Sequence, residues 1–337
     1  MRSVIGWDIG GAHVKAARVE GGRVVRVVQR PCPLWPGVER LSQVVGEIRD
    51  EMASADSHAA TMTGELADIF PSRETGVIAI TAVLSRTLAP LLLYGGPHGF
   101  LKPEAAAAQI ASIASANWHA SAALIARHVH DALFVDIGST TTDIIPIIAA
   151  TPAARGYTDA QRLACGELIY TGLTRSFLMA LASRAPIDGA WTSLACEHFA
   201  TTADIHRILG TLAEEADQMP TADGRAKTLA ASRARLARMV GRDATDATER
   251  EWHGLAGWFA EAQLRQIHDG ALLVLSRAAL SKTAPVIGAG VGRHLAAQLA
   301  GRLGRAYVAF ANLLDQGSSC EWLDDCAPAV AVALLAP

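Results

Sequence analysis

The chain contains the same short acidic, glycine-bearing pattern twice, about 128 residues apart. The first copy, VIGWDIGGAHVKAARV, covers residues 4–19, and the second, DALFVDIGSTTTDIIPI, covers residues 131–147. In each copy an apolar run leads into Asp-Ile-Gly, small or hydroxylated residues follow, and a second apolar run ends the pattern. Two apolar runs joined by a glycine-containing turn are typical of a β-hairpin. The repetition therefore predicts two hairpins of the same design, one in each half of the chain.

The length of 337 residues and the order of the predicted elements favour two domains. Strands and helices of the first half end near residue 130, where the second hairpin starts a new set of strands. We expect an N-terminal domain over residues 1–130 and a second domain with helical insertions over 131–318. A C-terminal helix over 319–337 could pack back on the first domain. Residues 75–104 are expected to be extended, whereas apolar periodicity predicts a helix over 166–185.

Composition and charge narrow the classes of protein that this chain can represent. Half of the residues are hydrophobic, 19% are charged and the formal net charge is −3, so no global basic field points to nucleic acid. The first residues, MRSVIGWDIGG, lack the long apolar core of a secretory signal, and no uninterrupted apolar stretch approaches ~18 residues. We therefore expect a soluble cytoplasmic protein that binds neither nucleic acid nor membranes.

The turns of the two hairpins carry residue types that bind phosphate. Glycine lets backbone amides approach a ligand closely, and Ser or Thr hydroxyls add donors. An Asp that ends a strand beside such a turn suits a Mg²⁺ ion, which bridges carboxylate and phosphate oxygens. The alternative is that each copy is only a hairpin with an acidic residue at its turn. The predicted clamp has Asp8 and Asp136 as metal ligands, and its phosphate-binding residues are Gly10, Gly11, Gly138, Ser139, Thr140 and Thr141.

A third glycine-rich element lies near the end of the chain. The segment APVIGAGVGRHLAAQLA, residues 284–300, predicts a buried strand, a turn with Gly288, Gly290 and Gly292, and then a helix. The free amides and the dipole at the start of that helix favour an anion or the polar edge of a base. A dinucleotide-binding turn is the alternative, but the G-x-G-x-x-G spacing and a leading β-α-β unit are absent from the sequence. These glycines are therefore candidates for contact with a nucleotide or substrate.

In this order, the two hairpins and the glycine-rich strand–turn–helix resemble the actin, sugar kinase and heat-shock ATPase superfamily. The resemblance covers the whole chain, although each motif is short. It implies an α/β protein of two ribonuclease-H-like domains, as in the actin-like ATPases, with the active site in the cleft between them. It also implies that the third motif can contact adenosine, so ATP stands beside Mg²⁺ among the cofactors to consider.

Narrower resemblances come from four segments. RLACGELIYTGLTRS (162–176) and TTADIHRILGTLAEE (201–215) are similar to hydantoinase A and oxoprolinase-type proteins. TMTGELADIF (61–70) and MPTADGRAKT (219–228) resemble the tetrahydromethanopterin-linked one-carbon transfer pathway proteins, whose archaeal relatives include the condensing enzyme of methanofuran biosynthesis. The resemblance implies a transferase of alkyl or aryl groups other than methyl, acting in methanofuran or methylofuran biosynthesis.

This resemblance gives the remaining candidate residues their expected roles. The expected reaction joins the phenol oxygen of (γ-glutamyl)tyramine to an aminomethylfuran-methyl diphosphate and releases pyrophosphate. The partners are then a small diphosphate substrate and a phenolic amine acceptor. Asp143 or Glu65 could remove the phenol proton, while Lys15 could reach a phosphate. Glu167 could bind substrate.

Other functions stay open at this point. One alternative is an ATP-dependent small-molecule kinase or an ATP-coupled hydrolase of the hydantoinase type. Another is a non-catalytic nucleotide sensor or assembly factor. The sequence also leaves open whether the chain forms a homodimer.

Overall fold

Two mixed β-sheets organise the chain, and each carries one of the repeated hairpins. The structure, a computed structural model, describes residues 2–314, 320 and 322–337. The expected boundary between residues 318 and 319 lies outside these described residues.

The first sheet is built from residues 3–101 around a central strand that is buried almost throughout. Its strands are β1 (Ser3–Ile9), β2 (His13–Glu20), β3 (Arg23–Pro31), β4 (Ser57–Met62), β5 (Leu91–Tyr94) and β6 (Phe100–Leu101). They lie in the order β3-β2-β1-β4-β5-β6, in which β1 to β3 form an antiparallel meander and β4 and β5 run parallel to β1. The helices of this half are α1 (Glu39–Glu51), α2 (Arg73–Thr87), α3 (Ile110–Ile113) and α4 (Asn117–Ile125).

The second sheet follows the same plan with residues 132–309. Strands of the second half are β7 (Ala132–Ile137), β8 (Thr142–Ile148), β9 (Thr151–Pro152), β10 (Leu168–Ile169), β11 (Arg184–Ile187), β12 (Ala190–Ser193), β13 (Val286–Ala289) and β14 (Tyr307–Ala309). Its sheet has the order β10-β8-β7-β13-β14, β9 pairs with β8, and β11 and β12 form a separate hairpin.

The helices of the second half surround that sheet and extend away from it. They are α5 (Asp159–Cys165), α6 (Leu178–Leu181), α7 (Thr202–Ile208), α8 (Leu229–Met239), α9 (Glu249–Arg277), α10 (Arg293–Arg302), α11 (Phe310–Leu313) and α12 (Ala327–Leu335). Helices α7, α8 and α9 pack together with the β11–β12 hairpin around their own apolar core. Within the described ranges, no helix has both the length and the apolar character needed to cross a membrane.

With β6, β9 and the separate β11–β12 hairpin set aside, the five remaining strands of each sheet share one order when numbered along the chain: third, second, first, fourth, fifth. In each sheet the first three strands are antiparallel, and the next two return parallel to the first. The third strand has nine residues in the first sheet (β3) and two in the second (β10). This duplicated topology confirms the predicted α/β fold of two ribonuclease-H-like domains.

The last helix, α12, lies against the first sheet. It contacts α4, β1, β2 and β4, and its residues from Ala327 to Ala333 are all buried. Gly6 on β1 permits this close approach, since a Cβ atom there would lie 2.1 Å from the carbonyl oxygen of Ala329. Together with α4, this helix fills a core that also contains buried residues of the second sheet. The two halves therefore share one apolar core behind the hairpins.

Two segments differ from the secondary structure expected of them. Residues 75–104 are not extended throughout, because α2 occupies their first part and begins at a capping box between Ser72 and Thr75. Residues 166–185 contain the short strand β10 and the four-residue helix α6 instead of one long helix. In α2, the capping box and the burial of one helix face outweigh the preference of Val and Ile for β-strands.

Candidate active site between the two hairpins

The two hairpins turn in the same way at the carboxyl ends of the central strands β1 and β7. In the first, the amide of Gly10 donates a hydrogen bond of 2.9 Å to the carbonyl oxygen of His13. In the second, the amide of Gly138 donates to the carbonyl oxygen of Thr141, also at 2.9 Å. The repeated sequence pattern therefore produces the same four-residue turn twice. Ligands of α/β sheets commonly bind at such strand ends.

A cleft of about 340 Å³ lies between these turns and is lined by residues of both domains. Its walls are predominantly polar and include every residue of the predicted clamp. The predicted residues that line it are Asp8, Gly10, Gly11, Lys15, Asp136, Gly138, Ser139, Thr140, Thr141 and Asp143. The structure thus brings the two halves of the clamp to one surface. From the sequence, each half could be placed only within its own hairpin.

Two buried carboxyl groups, Asp8 and Asp136, face the cleft from the ends of β1 and β7. Burial raises the pKa of Asp8 to about 6, and the nearby Lys15 ammonium opposes this rise. Burial, reinforced by the Asp143 carboxylate, raises the pKa of Asp136 to about 7, and Lys15 again opposes the shift. Oδ1 of Asp8 is buried without a hydrogen-bond partner among the described residues. The site is therefore short of positive charge.

A Mg²⁺ ion fits this donor set. Mg²⁺ in phosphate-binding sites is commonly held by one or two carboxylates, with water and substrate phosphate oxygens completing its shell. Asp8 and Asp136 offer such oxygens, one of which is unpartnered. Across the described ranges, no group of three or more His, Cys, Asp and Glu side chains could hold a metal without other ligands. A metal bound here would therefore depend on phosphate oxygens, and the predicted Mg²⁺ remains a prediction.

Lys15 occupies the strand position directly opposite Asp8. Its Nζ donates a hydrogen bond of 2.9 Å to the carbonyl oxygen of Asp325, close to the start of α12. Burial would lower the pKa of Lys15, but the neighbouring Cys326, Asp8 and Asp136 side chains raise it overall. The side chain therefore stays cationic at the floor of the cleft, where it can meet an anionic ligand.

The turn of the second hairpin presents donors to the cleft. In the described part of the chain, the backbone amides of Ser139 and Thr140 donate to no other group. Arg175 donates a side-chain hydrogen bond of 3.2 Å to Oγ1 of Thr140 and lies over the ring of Trp35, 5.8 Å from its centroid. Unpaired amides beside a guanidinium group form a favourable environment for phosphate oxygens.

Gly172 allows the segment with Arg175 to close onto this turn. A Cβ atom at Gly172 would lie 2.5 Å from the backbone nitrogen of Thr140. The amide of Leu173 donates to the carbonyl oxygen of Gly138 at 2.9 Å. The donors of the second turn are therefore held in place by backbone contacts before any ligand binds.

Asp143 lines the cleft, but it is already paired. Its carboxylate accepts a hydrogen bond from the buried guanidinium of Arg162, which also lies 4.4 Å from the centroid of the Trp118 ring. Burial raises the pKa of Asp143, and Arg162 opposes that rise. The ion pair places Asp143 among the groups that fix the second hairpin, so the expected role as a base has less support here.

Glu65 lies just behind the cleft wall and does not face the cleft. It is 1% exposed, and its Oε1 accepts a hydrogen bond of 2.8 Å from the hydroxyl of Ser115, which does line the cleft. Burial raises the pKa of Glu65 to about 7. Any contact between Glu65 and a ligand would therefore pass through Ser115.

Glu167 is placed away from the cleft. Its carboxylate accepts backbone hydrogen bonds from Arg155 at 2.7 Å and Gly156 at 2.9 Å, and the guanidinium of Arg277 lies at 2.8 Å. The side chain is fully buried and its acceptors are occupied by these donors. The carboxylate therefore holds the loop before α5 to α9, and its expected contact with substrate stays a prediction.

The three glycines of the third motif also lie outside the cleft lining. A Cβ atom at Gly290 would lie 2.4 Å from Oδ1 of Asp136, and one at Gly292 would lie 2.4 Å from the side chain of Ile137. At Gly288 a Cβ atom would lie 2.5 Å from the ring of Tyr307. This close packing lets the turn support the second hairpin, and the expected contact with a nucleotide or substrate stays a prediction.

Several residues of the cleft were missed by the sequence reasoning. Trp35 lies in the proline-rich connection after β3, and Arg175 lies in the segment that resembles hydantoinase A. For Trp35 the signal in the sequence is the cluster of prolines, and for Arg175 it is the family resemblance of its segment. Arg162 and Tyr170 lie in the same segment as Arg175. The others become recognisable as cleft residues only after folding: His13, Ser115, Asn117 and Asp159.

Comparison with known proteins agrees with the resemblances found in the sequence. Residues 56–314 match the family model described as hydantoinase/oxoprolinase. A Methanocaldococcus jannaschii protein named (4-{4-[2-(gamma-L-glutamylamino)ethyl]phenoxymethyl}furan-2-yl)methanamine synthase is 33% identical over 239 residues, which cover 70% of this chain and 71% of that protein. A protein of the same name from Methanococcus vannielii is 40% identical over 93 residues, which cover 28% of this chain and 41% of that protein.

Solved structures align along nearly the whole chain at low identity. Component A of (R)-2-hydroxyglutaryl-CoA dehydratase from Acidaminococcus fermentans has a TM-score of 0.49 and 10% identity, and the alignment covers 99% of this chain and 97% of that one. A ROK family glucokinase from Streptomyces griseus has a TM-score of 0.49 and 15% identity, with 98% of each chain covered. Because the family model matches residues 56–314 and one relative is 33% identical over 70% of this chain, the chain belongs to the hydantoinase/oxoprolinase family.

Proposed function

We propose that this protein is an aryl-ether synthase. It would join the phenol oxygen of a γ-glutamyltyramine acceptor to the methylene carbon of an aminomethylfuran-methyl diphosphate, and release pyrophosphate. The observation that carries the proposal is the relative that is 33% identical over 71% of its own length and is named as a synthase. The product in that name is a phenoxymethyl-furan, which is an ether between a phenol oxygen and a furan-bound methylene carbon.

The two hairpin turns suit the leaving group of this reaction. When the bond between carbon and diphosphate breaks, negative charge grows on the departing pyrophosphate. Fixed donors at the second turn, the Lys15 ammonium and the Arg175 guanidinium would stabilise that charge most strongly in the transition state. Held by Asp8 and Asp136, Mg²⁺ would supply further neutralisation of the diphosphate oxygens.

The mouth of the cleft suits the two aromatic rings of the reactants. Trp35, from the first domain, is 47% exposed, and Tyr170, from the second domain, is 63% exposed. Exposed aromatic side chains offer faces for ring stacking and for a cationic amine. The furan and phenol rings would lie against these side chains, with the diphosphate deeper in the cleft beside the hairpins.

The test is a direct assay of ether formation. Purified protein is incubated with the aminomethylfuran-methyl diphosphate, γ-glutamyltyramine and Mg²⁺, and the ether and pyrophosphate are followed by mass spectrometry. We expect equal amounts of both products, and a loss of both in Asp136→Asn. Gly46→Ala on α1 is the control, since its added methyl group meets nothing within 4 Å. Consumption of ATP while the diphosphate is ignored would overturn the proposal in favour of a kinase or ATP-coupled hydrolase.

A further inference from the structure

Ser115 holds an unusual backbone position in the cleft wall. It connects α3 to α4 with a φ of 52°, a left-handed conformation that non-glycine residues adopt rarely. Its side chain is 3% exposed, yet it belongs to the cleft lining. Strained positions of this kind persist where the surrounding structure fixes them, often at functional sites. Here the strain directs a hydroxyl group toward two carboxyl groups.

Those two carboxyl groups differ in their surroundings. The Ser115 hydroxyl lies 2.8 Å from Oε1 of Glu65 and 3.1 Å from Oδ2 of Asp159. Asp159 is paired with the guanidinium of Arg73 at 2.7 Å, and Arg162 lies 4.0 Å from its other oxygen. Within the described residues, Glu65 makes no ion pair and its Oε2 has no hydrogen-bond partner. Of the two, Glu65 is the carboxyl group that can take up a proton without breaking an ion pair.

The fold keeps Glu65 at this position. Gly76 of α2 packs directly on the backbone of Glu65, since a Cβ atom there would lie 2.5 Å from the Glu65 carbonyl oxygen. Among the described residues, the hydroxyl of Ser115 is the only side-chain hydrogen-bond partner of Glu65, and Ser115 lines the cleft. A buried acid behind a cleft-facing hydroxyl can exchange a proton with a bound ligand only through that hydroxyl.

We propose that Ser115 and Glu65 form the proton relay of the ether-forming step, an inference that rests on the proposed function. The phenol hydroxyl donates its proton to Oγ of Ser115, and the serine proton passes to Oε1 of Glu65. The phenol oxygen forms its bond to the methylene carbon as the bond from that carbon to the diphosphate breaks. Pyrophosphate leaves with the bonding electron pair, and Glu65 later returns the proton to water.

The electrostatic setting agrees with this role. Burial raises the pKa of Glu65 to about 7, partly opposed by the Ser115 hydrogen bond and by Arg73, while Asp159 adds to the rise. General bases work best when their pKa lies near the working pH. The charged groups that face Glu65 are Asp159 and Arg73, and neither belongs to the proposed metal site.

The test compares the pH dependence of ether formation in three variants. Glu65→Gln and Ser115→Ala should each lower turnover ~100-fold, the usual contribution of a positioned acid or base. Glu65→Gln should also lose the change in rate near pH ~7. Ser121→Ala is the matched control, because Ser121 is a buried serine of the neighbouring α4 that does not line the cleft. Thermal melting of each variant shows whether it is folded.

A second acceptor separates proton transfer from simple damage to the site. A nitro group beside the phenol hydroxyl makes the acceptor a much stronger acid than the natural phenol, so at pH ~8 it is mostly ionised and needs no base. It should restore turnover in Glu65→Gln and Ser115→Ala to within ~10-fold of the wild type. Wild-type rates in both variants, or no restoration by the ionised acceptor, would overturn the relay. Absence of ether formation by the wild-type protein would instead contradict the proposed function.

Discussion

Lys15 and Asp143 occupy equivalent positions in the two hairpins, and they carry opposite charges. Each lies directly across the strand pair from the aspartate that ends the first strand. The first hairpin therefore offers a carboxylate beside an ammonium group, whereas the second offers two carboxylates. Arg162 lies outside the second hairpin and forms an ion pair with Asp143, which offsets part of the negative charge of the two carboxylates. The duplication has thus kept the backbone turn and changed the charge that each turn presents.

Replacing Lys15 by Met should lower turnover ~100-fold, because its cation faces both the proposed diphosphate and the carboxyl groups of Asp8 and Asp136. Lys15→Arg should retain part of the activity, since it keeps the charge with a different shape. Initial rates of pyrophosphate release measure the effect. Lys282→Met, at an exposed lysine, is the control; equal rates in Lys15→Met and the control would contradict the prediction.

Stability should fall as the pH rises from ~4 to ~8 in the absence of Mg²⁺. Burial raises the pKa of Asp8 to about 6 and of Asp136 to about 7, so the folded chain holds these protons more tightly than the unfolded chain does. Their contribution is complete below the unfolded pKa near 4 and is lost as the pH rises through 6 and 7.

The variant Asp136→Asn should remove part of this dependence. We expect its Tm at pH ~8 to exceed that of the wild type by about 2 °C or more, which corresponds to roughly 1 kcal/mol for a domain of this size. Mg²⁺ should raise the Tm of the wild type more than that of the variant, because binding to the folded state alone stabilises it. If the Tm of the wild type and that of Asp136→Asn depend on pH in the same way, the raised pKa assigned to Asp136 is contradicted.

Gly290→Ala should disturb the metal-binding side of the cleft. The added methyl group would lie 2.4 Å from Oδ1 of Asp136, and the positive φ of 83° adds strain. Gly304→Ala carries similar strain, with a φ of 63°, but its methyl group meets nothing within 4 Å. We expect Gly290→Ala to weaken Mg²⁺-dependent turnover at least ~10-fold more than Gly304→Ala. Equal losses in the two variants would show that strain alone matters.

The hairpins could be predicted from the sequence because all of their information is local. An apolar run, an aspartate and a glycine turn specify the strand, its end and the amides that follow it. The equivalence of Asp8 and Asp136 therefore survives in the structure, where both line the same cleft. The fold of two ribonuclease-H-like domains was predicted from the superfamily resemblance and not from these runs, and the strand order of the sheets was not predicted.

Other parts of the site depend on contacts between distant residues. Ser115 lies 50 positions from Glu65, and Arg162 lies 19 positions from Asp143, so no spacing rule connects them. The glycines of the third motif are compatible with two interpretations for a different reason. Glycine marks close approach, but the sequence does not say whether a ligand or the chain itself comes close. Around Gly290 it is the backbone of Ile137 and the carboxylate of Asp136.

Gly6→Ala should destabilise the whole molecule. A methyl group at this position of β1 would lie 2.1 Å from the Ala329 carbonyl oxygen and 2.7 Å from the Ala333 nitrogen, so α12 would have to move. Overpacking of this kind costs about 1–3 kcal/mol. Gly46→Ala in α1 should have the opposite sign, since it adds helix propensity of roughly 1 kcal/mol without a contact. Chemical denaturation of both variants measures the difference, and equal stabilities would contradict the packing of α12.

Removing Arg162 should be costly, and removing Asp143 with it should restore part of the loss. Arg162 is 2% exposed and pairs with Asp143, so Arg162→Met leaves a buried carboxylate without its cation. Breaking such a pair costs about 3–5 kcal/mol, whereas replacing both partners by neutral groups costs much less. The double variant Asp143→Asn with Arg162→Met should therefore be more stable than Arg162→Met alone by at least ~1 kcal/mol.

The measurement is the free energy of unfolding of the wild type, both single variants and the double variant. Arg265→Met is the control, because its pair with Glu261 is exposed and such pairs contribute at most about 1 kcal/mol. Additive losses in the double variant would mean that the two side chains act separately. In the wild-type protein, the charge of Asp143 would then not be compensated by Arg162. The second hairpin would present two ionised carboxylates, Asp136 and Asp143, to the cleft. Because that arrangement repels a diphosphate unless a cation is bound, turnover would depend more steeply on Mg²⁺ than the paired arrangement predicts.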